Sequence, residues 1–469
     1  MRFWSTVGVL CFAAVVAAGC SPDPITAGPS PTSAPTERAW RVWATHPDQR
    51  RLLAELDTVS TAASSAVPSV ELVVDDSVLG QTWLGVGAAM TDASVVLLDA
   101  AGPGLLDALF DPDHPSGAQA NLVRLPLTAT DFSTRLWTWW DDPASEPAPT
   151  AEAEAAFAAV RAVDSRNPHA RVIASPWSAP AWMKDSATVT GGALDDAARS
   201  AYADLLVAQS RWLAQRLPLH ALTIVNEPGH SSDTYPTMTM TDEQLIDVAQ
   251  RIRPALDADG VELWALDHNW EDRERLDALL TEGPGLFDVA AFHCYGGSPA
   301  AMAGLSVPSA VTECTGGEWD TAWASTFTWQ LRNLVVEPIR AGSTALLLWN
   351  LALDPDHGPA TGGCGDCRGI VTVDPATGGW VRQPEFFLLG HVARAAGPGA
   401  RRAEVSVRSE VPAVAFVNDD GSIGVVGQNA GGVPQVVEIM DPAGESLVRI
   451  ELDSGELFSV RGWPPSPSE

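Results

Sequence analysis

Apolar and polar residues alternate with two different periods along the chain, and the change of period indicates two kinds of architecture. Between about residues 80 and 391, short apolar strands alternate with amphipathic helical segments. Residues 40–74 and the stretch after residue 391 show strand-like alternation without helices. Strands separated by helices indicate a parallel sheet, whereas strands separated by tight turns indicate an antiparallel sheet.

Eight apolar segments of the central stretch have the length and composition of parallel strands that are covered on both faces. They comprise residues 83–88, 121–125, 171–175, 222–226, 262–267, 289–293, 310–313 and 345–350. Helical patterns between them include residues 152–165, 195–216 and 241–258, and the last begins with Thr241 and Gln244 at the spacing of a capping box. Eight strand–helix units of this length predict an α/β fold, the (β/α)8 TIM barrel.

A doubly wound open sheet is the alternative fold for alternating strands and helices. That fold requires a glycine-rich phosphate-binding turn after the first strand and an acidic residue further on to bind a ribose. Gly85-Val86-Gly87 lacks the third glycine, and no acidic residue follows at a suitable distance. The barrel therefore remains the favoured prediction.

The C-terminal stretch predicts a small antiparallel β-sandwich. Its strand segments are residues 403–407, 413–418, 423–428, 436–440, 447–452 and 457–461, separated by Asp-Gly, Gly-Gly and Ser-Gly turns. Isolated pairs of strands are not stable, so we expect N-terminal strands within residues 39–76 to complete this sandwich. The barrel would then occupy residues 77–390, the C-terminal part of the sandwich residues 391–463, and a short tail residues 464–469.

The N-terminus has the features of an export signal. Arg2 precedes an apolar run at residues 7–18, which is too short to span a membrane stably, and residues 17–21 read Ala-Ala-Gly-Cys-Ser. Small residues before a cysteine resemble a bacterial lipobox and predict a signal peptide at residues 1–20 with a lipid on Cys20. Ordinary cleavage nearby is the alternative. The Pro-, Ser- and Thr-rich segment 21–38 would be a solvated linker. The signal peptide, Cys20 and this linker together predict an exported, extracellular lipoprotein that is attached to the cell membrane.

The formal net charge of −31, from 28 basic and 59 acidic residues, limits the range of partners. Such a surface repels the phosphates of nucleic acids and of anionic lipids. We therefore expect no nucleic acid partner, and no feature of the sequence implies a protein partner.

Four cysteines remain outside the predicted leader: Cys294, Cys314, Cys364 and Cys367. An even number of cysteines in an exported domain suggests disulfides, and four cysteines allow three connectivities. A zinc site at residues 364–367 is the competing interpretation, with His357 nearby. No second cysteine pair with metal-binding spacing supports that site.

Two glutamates lie directly at predicted strand ends, Glu227 after the fourth strand and Glu313 at the seventh. Strand ends of a barrel converge on one mouth, where barrel enzymes place their chemistry. Two carboxylates ~5 Å apart can carry out double displacement at a sugar's anomeric carbon, whereas a gap of roughly 6.5–9.5 Å admits a water and inverts the configuration. Placement on strands four and seven suits the short gap. Asn226 could bind the sugar 2-hydroxyl, and Tyr295 could orient Glu313.

The ordered set of strand-end motifs resembles glycoside hydrolase family 30, the glucosylceramidase-like retaining β-glycosidases of clan A. The resemblance runs from about residue 40 to 463 and rests on the motifs at residues 85–92, 124–126, 131–133, 174–178, 226–228, 267–270, 293–295, 312–313 and 349–354. It implies a barrel with a β-sandwich, Glu227 as acid/base and Glu313 as nucleophile. It also implies a carbohydrate or glycolipid substrate whose glycone is bound by Asp131, Trp177, Asn226, His293, Tyr295 and Trp349. We expect no cofactor or metal.

The segment 364–369, Cys-Gly-Asp-Cys-Arg-Gly, departs from human-type glucosylceramidases and resembles bacterial and fungal branches of the family, some of which are β-1,6-glucanases. The leaving group, whether ceramide, an oligosaccharide or β-1,6-glucan, therefore stays open. Cys294 and Cys314 each follow a residue at the end of neighbouring strands six and seven, so we expect them to pair, and Cys364 to pair with Cys367.

The sequence thus predicts a retaining β-glycoside hydrolase that acts on β-glucosides by double displacement. A β-xylosidase or another β-glycosidase of the same family is the nearest alternative. A non-catalytic surface lipoprotein that binds carbohydrate is the alternative of another class, and the presence of both Glu227 and Glu313 argues against it.

Overall fold

The computed structural model describes residues 40–57, 69–407 and 411–463. The predicted signal peptide with Cys20, the linker 21–38 and the tail 464–469 lie outside the described residues. Within the described ranges, no single helix is long and apolar enough to cross a membrane, although the bent pair Asp92–Ala101 and Pro103–Phe110 meets the length and composition limits when taken together.

The strands, in chain order, are β1 (Arg41–Thr45), β2 (Ala54–Leu56), β3 (Val70–Thr82), β4 (Gly85–Ala89), β5 (Leu122–Pro126), β6 (Arg171–Ser175), β7 (Leu219–Thr223), β8 (Glu262–Asn269), β9 (Val289–His293), β10 (Ser309–Glu313), β11 (Gly316–Gly317), β12 (Ser343–Asn350), β13 (Ala352–Leu353), β14 (Cys367–Arg368), β15 (Val371–Val373), β16 (Trp380–Arg382), β17 (Arg401–Val407), β18 (Ala413–Val417), β19 (Ile423–Gln428), β20 (Gln435–Met440), β21 (Ser446–Leu452) and β22 (Leu457–Gly462). The α-helices are α1 (Asp92–Ala101), α2 (Pro103–Phe110), α3 (Ala151–Asp164), α4 (Arg199–Ala214), α5 (Asp242–Asp259), α6 (Arg273–Glu282), α7 (Trp323–Gln330), α8 (Glu337–Arg340) and α9 (Pro384–Ala395).

Eight parallel strands close into a barrel in the order β10-β12-β4-β5-β6-β7-β8-β9, which confirms the predicted (β/α)8 architecture. Alternate residues of each strand point to opposite faces. Leu122, Ile173 and Trp264 belong to a small apolar cluster distinct from the main core, which holds Val123, Val172 and the helices. The barrel interior is therefore a packed core, and ligands can enter only at its ends.

The fourth barrel strand differs from its prediction in a way that matters for the site. β7 covers Leu219–Thr223, so Asn226 and Glu227 lie three and four residues beyond its end instead of within a strand at 222–226. The backbone N–H of Asn226 donates to Pro176 O, and that of Glu227 donates to Asp267 O at 2.9 Å. The chain leaves the β7 ladder to bridge the ends of β6 and β8.

The remaining strands form one nine-stranded sheet in the order β2-β1-β22-β19-β18-β17-β3-β20-β21. N-terminal strands β1, β2 and β3 do complete the C-terminal sheet, as the sequence analysis expects. The sheet is mixed instead of purely antiparallel, because β20 pairs with β3 in parallel. Val42 near one edge and Ile450 near the other share a single apolar core, so the sheet curls around that core like a sandwich.

Helix α5 illustrates how local sequence sets the helix boundaries. Thr241 caps its N-terminus by accepting from the N–H of Gln244, whose side chain accepts from the N–H of Thr241. This is the predicted capping box. The helix is capped at its C-terminus by Gly260, which adopts a left-handed backbone conformation with little strain because glycine has no Cβ atom.

Candidate active site

A cavity of about 400 Å³ opens at the C-terminal ends of the barrel strands. Among the predicted site residues, Asp131, Glu227, Tyr295, Glu313 and Trp349 line it. A larger cleft of about 670 Å³ lies at the opposite end of the barrel, against the nine-stranded sheet, and neither glutamate lines it. The chemistry-bearing residues therefore gather at the end where barrel enzymes carry their sites.

The carboxylate of Glu313 receives two hydrogen bonds from positioned donors. The Arg124 guanidinium donates through Nη1 to Oε2 in a short charge-assisted contact, and the Tyr295 hydroxyl donates to Oε1 at 3.0 Å. Both oxygens accept, which is the hydrogen-bonding arrangement of an ionised carboxylate. Glu313 is buried at the end of β10 and faces the cavity.

Glu227 lies opposite, on a strained backbone. Its φ of 47° is in the left-handed region that a glutamate rarely adopts, and such strain is typical of functional sites. Its Oε1 is 3.0 Å from His293 Nδ1. One carboxylate oxygen of Glu227, one of Glu313 and one ring nitrogen of His293 lie within 4.8 Å of one another. The two glutamates are thus close enough to act on the same atom from two sides.

A buried network beneath the cavity holds both glutamates. Asp267 Oδ2 accepts from Arg124 Nη2 at 2.8 Å, and Asp267 Oδ1 is 3.1 Å from His293 Nε2. Hydroxyls of Ser175, Thr223 and Thr312 also donate to this carboxylate. The sequence analysis missed both Arg124 and Asp267 as site residues. A charged residue inside a buried strand, as Arg124 is in β5, signals a buried partner.

The backbone of β8 aims Asp267 into this network. Leu266 and Asp267 both have positive φ, and the pairing register with β9 shifts between Leu266 and His268. Such a bulge redirects a side chain at the rim of a barrel. The strain is local and lies next to the site.

The titratable groups of the site influence one another through their charges. Burial acts against the protonated imidazole, but the carboxylates of Glu313, Asp267 and Glu227 raise the pKa of His293 to about 9. Burial also acts to raise the pKa of Glu227, but the hydrogen bond and the charge of His293 outweigh it, so this pKa is lowered. Burial raises the pKa of Glu313, against the opposing charges of His293 and Arg124.

Asp131 has a different electrostatic role. Burial, followed by the negative charge of Glu313, raises the pKa of Asp131 well above its usual range. A carboxyl group held neutral in this way can donate a hydrogen bond to a ligand hydroxyl.

Two stacked indoles support the cavity. The rings of Trp177 and Trp349 have centroids 5.1 Å apart at an interplanar angle of 24°. The Arg124 guanidinium carbon lies 4.6 Å from the Trp177 ring centroid, in cation–π geometry. Trp349 reaches the cavity, whereas Trp177, Asn226 and His293 are buried behind it. Asn226 accepts from Arg124 at 2.6 Å.

Loops after β6 and β7 add residues that the sequence analysis did not find. His230 and Tyr235 line the cavity and bond to each other at 2.8 Å between Nε2 and the hydroxyl. Lys184, the one lysine in the sequence, donates to Ser178 Oγ at 2.9 Å and to Thr237 O at 2.6 Å, which ties these two loops together. Burial lowers the pKa of Lys184 to about 8. Loop residues carry no periodic signal, so their convergence is visible only in the fold.

The structure contains the disulfides Cys294–Cys314 and Cys364–Cys367, the two pairings that the sequence analysis expects. The first joins the residues that follow His293 and Glu313, at the ends of β9 and β10. The second closes the loop whose cysteines line the cavity. Since Cys364 and Cys367 are bonded to each other, they do not form the alternative zinc site.

Comparisons with known proteins agree with this geometry. The profile of the glycosyl hydrolase family 30 TIM-barrel domain matches residues 84–276. An endo-1,6-beta-D-glucanase of Aspergillus fumigatus is 28% identical over 446 residues, covering 85% of this chain and 86% of that protein. The lysosomal acid glucosylceramidase of Mus musculus is 25% identical over 413 residues, covering 76% of this chain and 77% of that protein.

Among solved structures, an endo-beta1,6-glucanase superimposes with a TM-score of 0.81 at 21% identity, covering 90% of this chain and 99% of the other. SrfJ from Salmonella typhimurium gives the same TM-score, identity and coverage. These two similarities show the shared fold. The family profile, the related sequences and the paired glutamates at the barrel mouth lead to one conclusion: residues 84–276 match the glycosyl hydrolase family 30 barrel domain, and the protein is a β-glycoside hydrolase.

Proposed function

We propose that this enzyme hydrolyses β-1,6-linked glucan with retention of configuration, using Glu313 as nucleophile and Glu227 as acid/base. The observation that carries the proposal is the close approach of one oxygen of each carboxylate, within 4.8 Å. This spacing belongs to the retaining class, since an inverting pair needs roughly 6.5–9.5 Å to admit a water.

In the first step, an ionised oxygen of Glu313 attacks the anomeric carbon. The bond from that carbon to the leaving-group oxygen breaks, and Glu227 gives a proton to this oxygen. In the second step, Glu227 removes a proton from water, which attacks the same carbon and releases Glu313. Two inversions return the product to the original configuration.

The proton for the first step comes from the contact between His293 and Glu227. In the free site the imidazolium donates to Glu227 and lowers the pKa of this carboxyl. Entry of the sugar displaces water and places the leaving-group oxygen beside Glu227. The proton then crosses the 3.0 Å separation from Nδ1 to the carboxylate, and Glu227 passes it on to that oxygen. In the second step, the proton that Glu227 takes from water returns to Nδ1 of His293, which restores the free site.

The glycone would rest on Trp349, with Asp131 donating to a sugar hydroxyl and Tyr295 beside the reacting carbon, while Asn226 would hold Arg124 from behind the cavity. Trp177 would support Trp349 by stacking on its indole, and His293 would supply the proton that Glu227 donates. The choice of glucan over glucosylceramide rests on the relatives, because proteins named endo-1,6-beta-D-glucanase match at 26–28% identity over 80–85% of the chain.

A substrate panel tests this choice. We expect hydrolysis of β-1,6-glucan and of aryl β-glucosides, with weaker action on aryl β-xylosides and glucosylceramide. Preference for glucosylceramide or for a xyloside would replace the substrate assignment. Binding to every sugar without hydrolysis of any would support the carbohydrate-binding alternative.

Azide separates the two glutamate roles. With an aryl β-glucoside and azide, Glu313→Ala should yield the α-glucosyl azide, because azide attacks from the side that the nucleophile has vacated. Glu227→Ala should yield the β-glucosyl azide, because azide then attacks the glycosyl-enzyme in place of water. Glu451→Ala, an exposed site on β21, is the matched control and should leave turnover unchanged. Exchanged products would reverse our assignment.

The cellular location is part of the same proposal. The N-terminal leader and the lipobox-like Cys20 support an extracellular enzyme attached to the membrane by lipid. Mass spectrometry of the mature N-terminus should find a lipid-modified Cys20. An unmodified N-terminus beyond this residue would leave an exported enzyme without an anchor.

A further inference from the structure

One aromatic residue at the cavity mouth has no place in the mechanism above. Trp319 lines the same cavity as Glu227 and Glu313, yet 58% of its surface is exposed. Single exposed apolar side chains are common on protein surfaces, but an indole that lines a catalytic cavity is placed to contact what the cavity binds.

The backbone around Trp319 is fixed on both sides. Arg368 Nη1 donates to Gly317 O at 3.0 Å and to Asp320 O at 2.9 Å. Arg368 is itself paired with Glu385 at 2.8 Å, and both side chains are buried. These hydrogen bonds hold the backbone in place on both sides of Trp319, although its side chain is exposed.

The same segment is joined to the disulfide loop. Gly317 in β11 pairs with Cys367 in β14, and the N–H of Glu318 donates to Asp366 O at 2.9 Å. The Cys364–Cys367 bond closes that loop on itself. The segment that carries Trp319 and the disulfide loop are therefore joined by hydrogen bonds at the rim of the cavity, with the Trp319 indole exposed.

The position of the indole depends on a glycine. A Cβ atom at Gly317 would lie 2.0 Å from Trp319 Cζ3, which means that the ring rests directly against the Gly317 backbone. Any larger residue at 317 would displace the ring.

We propose that Trp319 is a stacking platform for a pyranose ring on the leaving-group side of the scissile bond. The inference rests on the proposed function and specifies it further, because it makes the leaving group a sugar. The indole offers one flat apolar face, and the apolar C–H face of a pyranose matches it. The cavity that holds Trp319 is also lined by polar side chains such as His230 and Asn269, which can bind the hydroxyls of such a sugar.

The test compares two donors that share the glycone and differ in the leaving group. A β-1,6-linked glucose oligosaccharide places a sugar on Trp319, whereas β-glucosyl fluoride does not. Trp319→Ala should lower kcat/KM for the oligosaccharide by ~10- to 100-fold and change that for the fluoride by less than about 2-fold. Gly317→Ala should reproduce this selective loss by displacing the ring.

Trp329→Ala is the matched control, since Trp329 is 45% exposed on α7 and does not line the cavity. It should leave both donors unaffected. Equal losses on both donors, or no loss on either, in Trp319→Ala would overturn the platform. A wild-type enzyme that cleaves the fluoride but no oligosaccharide would overturn the platform together with the β-1,6-glucan assignment, whereas inactivity on both donors would contradict the proposed hydrolysis itself.

Discussion

Protonation of His293 should link the stability of this fold to pH. Its Nδ1 lies 3.0 Å from Glu227 Oε1 and its Nε2 lies 3.1 Å from Asp267 Oδ1, with Glu313 close by. Both nitrogens can donate to these carboxylates only when the ring carries two protons. The buried imidazole is therefore expected to be a cation at neutral pH.

The pKa of His293 gives the size and the sign of the effect. It rises from 6.5 to about 9 on folding, which corresponds to about 3 kcal/mol because one pKa unit is worth about 1.4 kcal/mol. The folded state binds this proton more tightly than the unfolded state. The stabilisation is therefore complete below about pH 6.5 and is lost as the pH rises through 9, and about 2 kcal/mol of it should disappear between about pH 7.5 and 9.5.

Urea unfolding at these two pH values measures this loss. Wild type should lose about 2 kcal/mol more than His293→Gln, because glutamine can donate and accept but does not titrate. His391→Gln is the control. His391 is buried between the hydroxyls of Thr45 and Ser459, and burial lowers its pKa, so it is neutral throughout this range. An identical pH dependence in wild type and His293→Gln would refute the reasoning.

Three further predictions concern other parts of the site. The Lys184 amine should react with an acylating reagent at least ~10-fold more slowly in the folded protein than in urea, because the side chain is 4% exposed; equal rates by mass spectrometry would contradict its burial. Arg124→Met should destabilise the fold by ~3–5 kcal/mol by leaving buried carboxylates without their cation, with Arg124→Lys less severe, and unchanged urea midpoints would exclude this role. Serine at both Cys294 and Cys314 should lower the unfolding free energy by about 3 kcal/mol, and an unaltered value would show that the bridge does not stabilise the barrel.

The Asp267 side chain connects the side chains of the two proposed catalytic glutamates, although it bonds to neither of them directly. One oxygen binds Arg124, which binds Glu313, and the other binds His293, which binds Glu227. A change at Asp267 should therefore alter both glutamates at once. The pairing of one glutamate with a guanidinium and the other with an imidazolium gives the two carboxyls different environments, which a retaining mechanism requires.

The barrel was predictable because its signal is local and repeated. Strands β6 and β9 were predicted to the residue, and α5 begins at the predicted capping box. A strand that is buried on both faces must be apolar along its whole length, and the sequence contains eight such segments. The end of β7 was missed because apolar Ile224 and Val225 continue the strand pattern after the ladder has ended.

The sequence by itself determined the barrel, the joining of both chain ends in one sheet and the choice of glutamates that face each other across the cavity. Only the tertiary structure decided how those glutamates are charged, because Arg124, Asp267 and His293 meet through contacts between strands that are far apart in sequence. The tertiary structure also decided which residues form the rim of the cavity, where Arg368 and the disulfide loop hold the backbone beside the exposed Trp319. Hydrophobic periodicity indicates which residues of one strand or helix are buried. Which charged side chains pair depends on distances between different strands and helices, which periodicity does not contain.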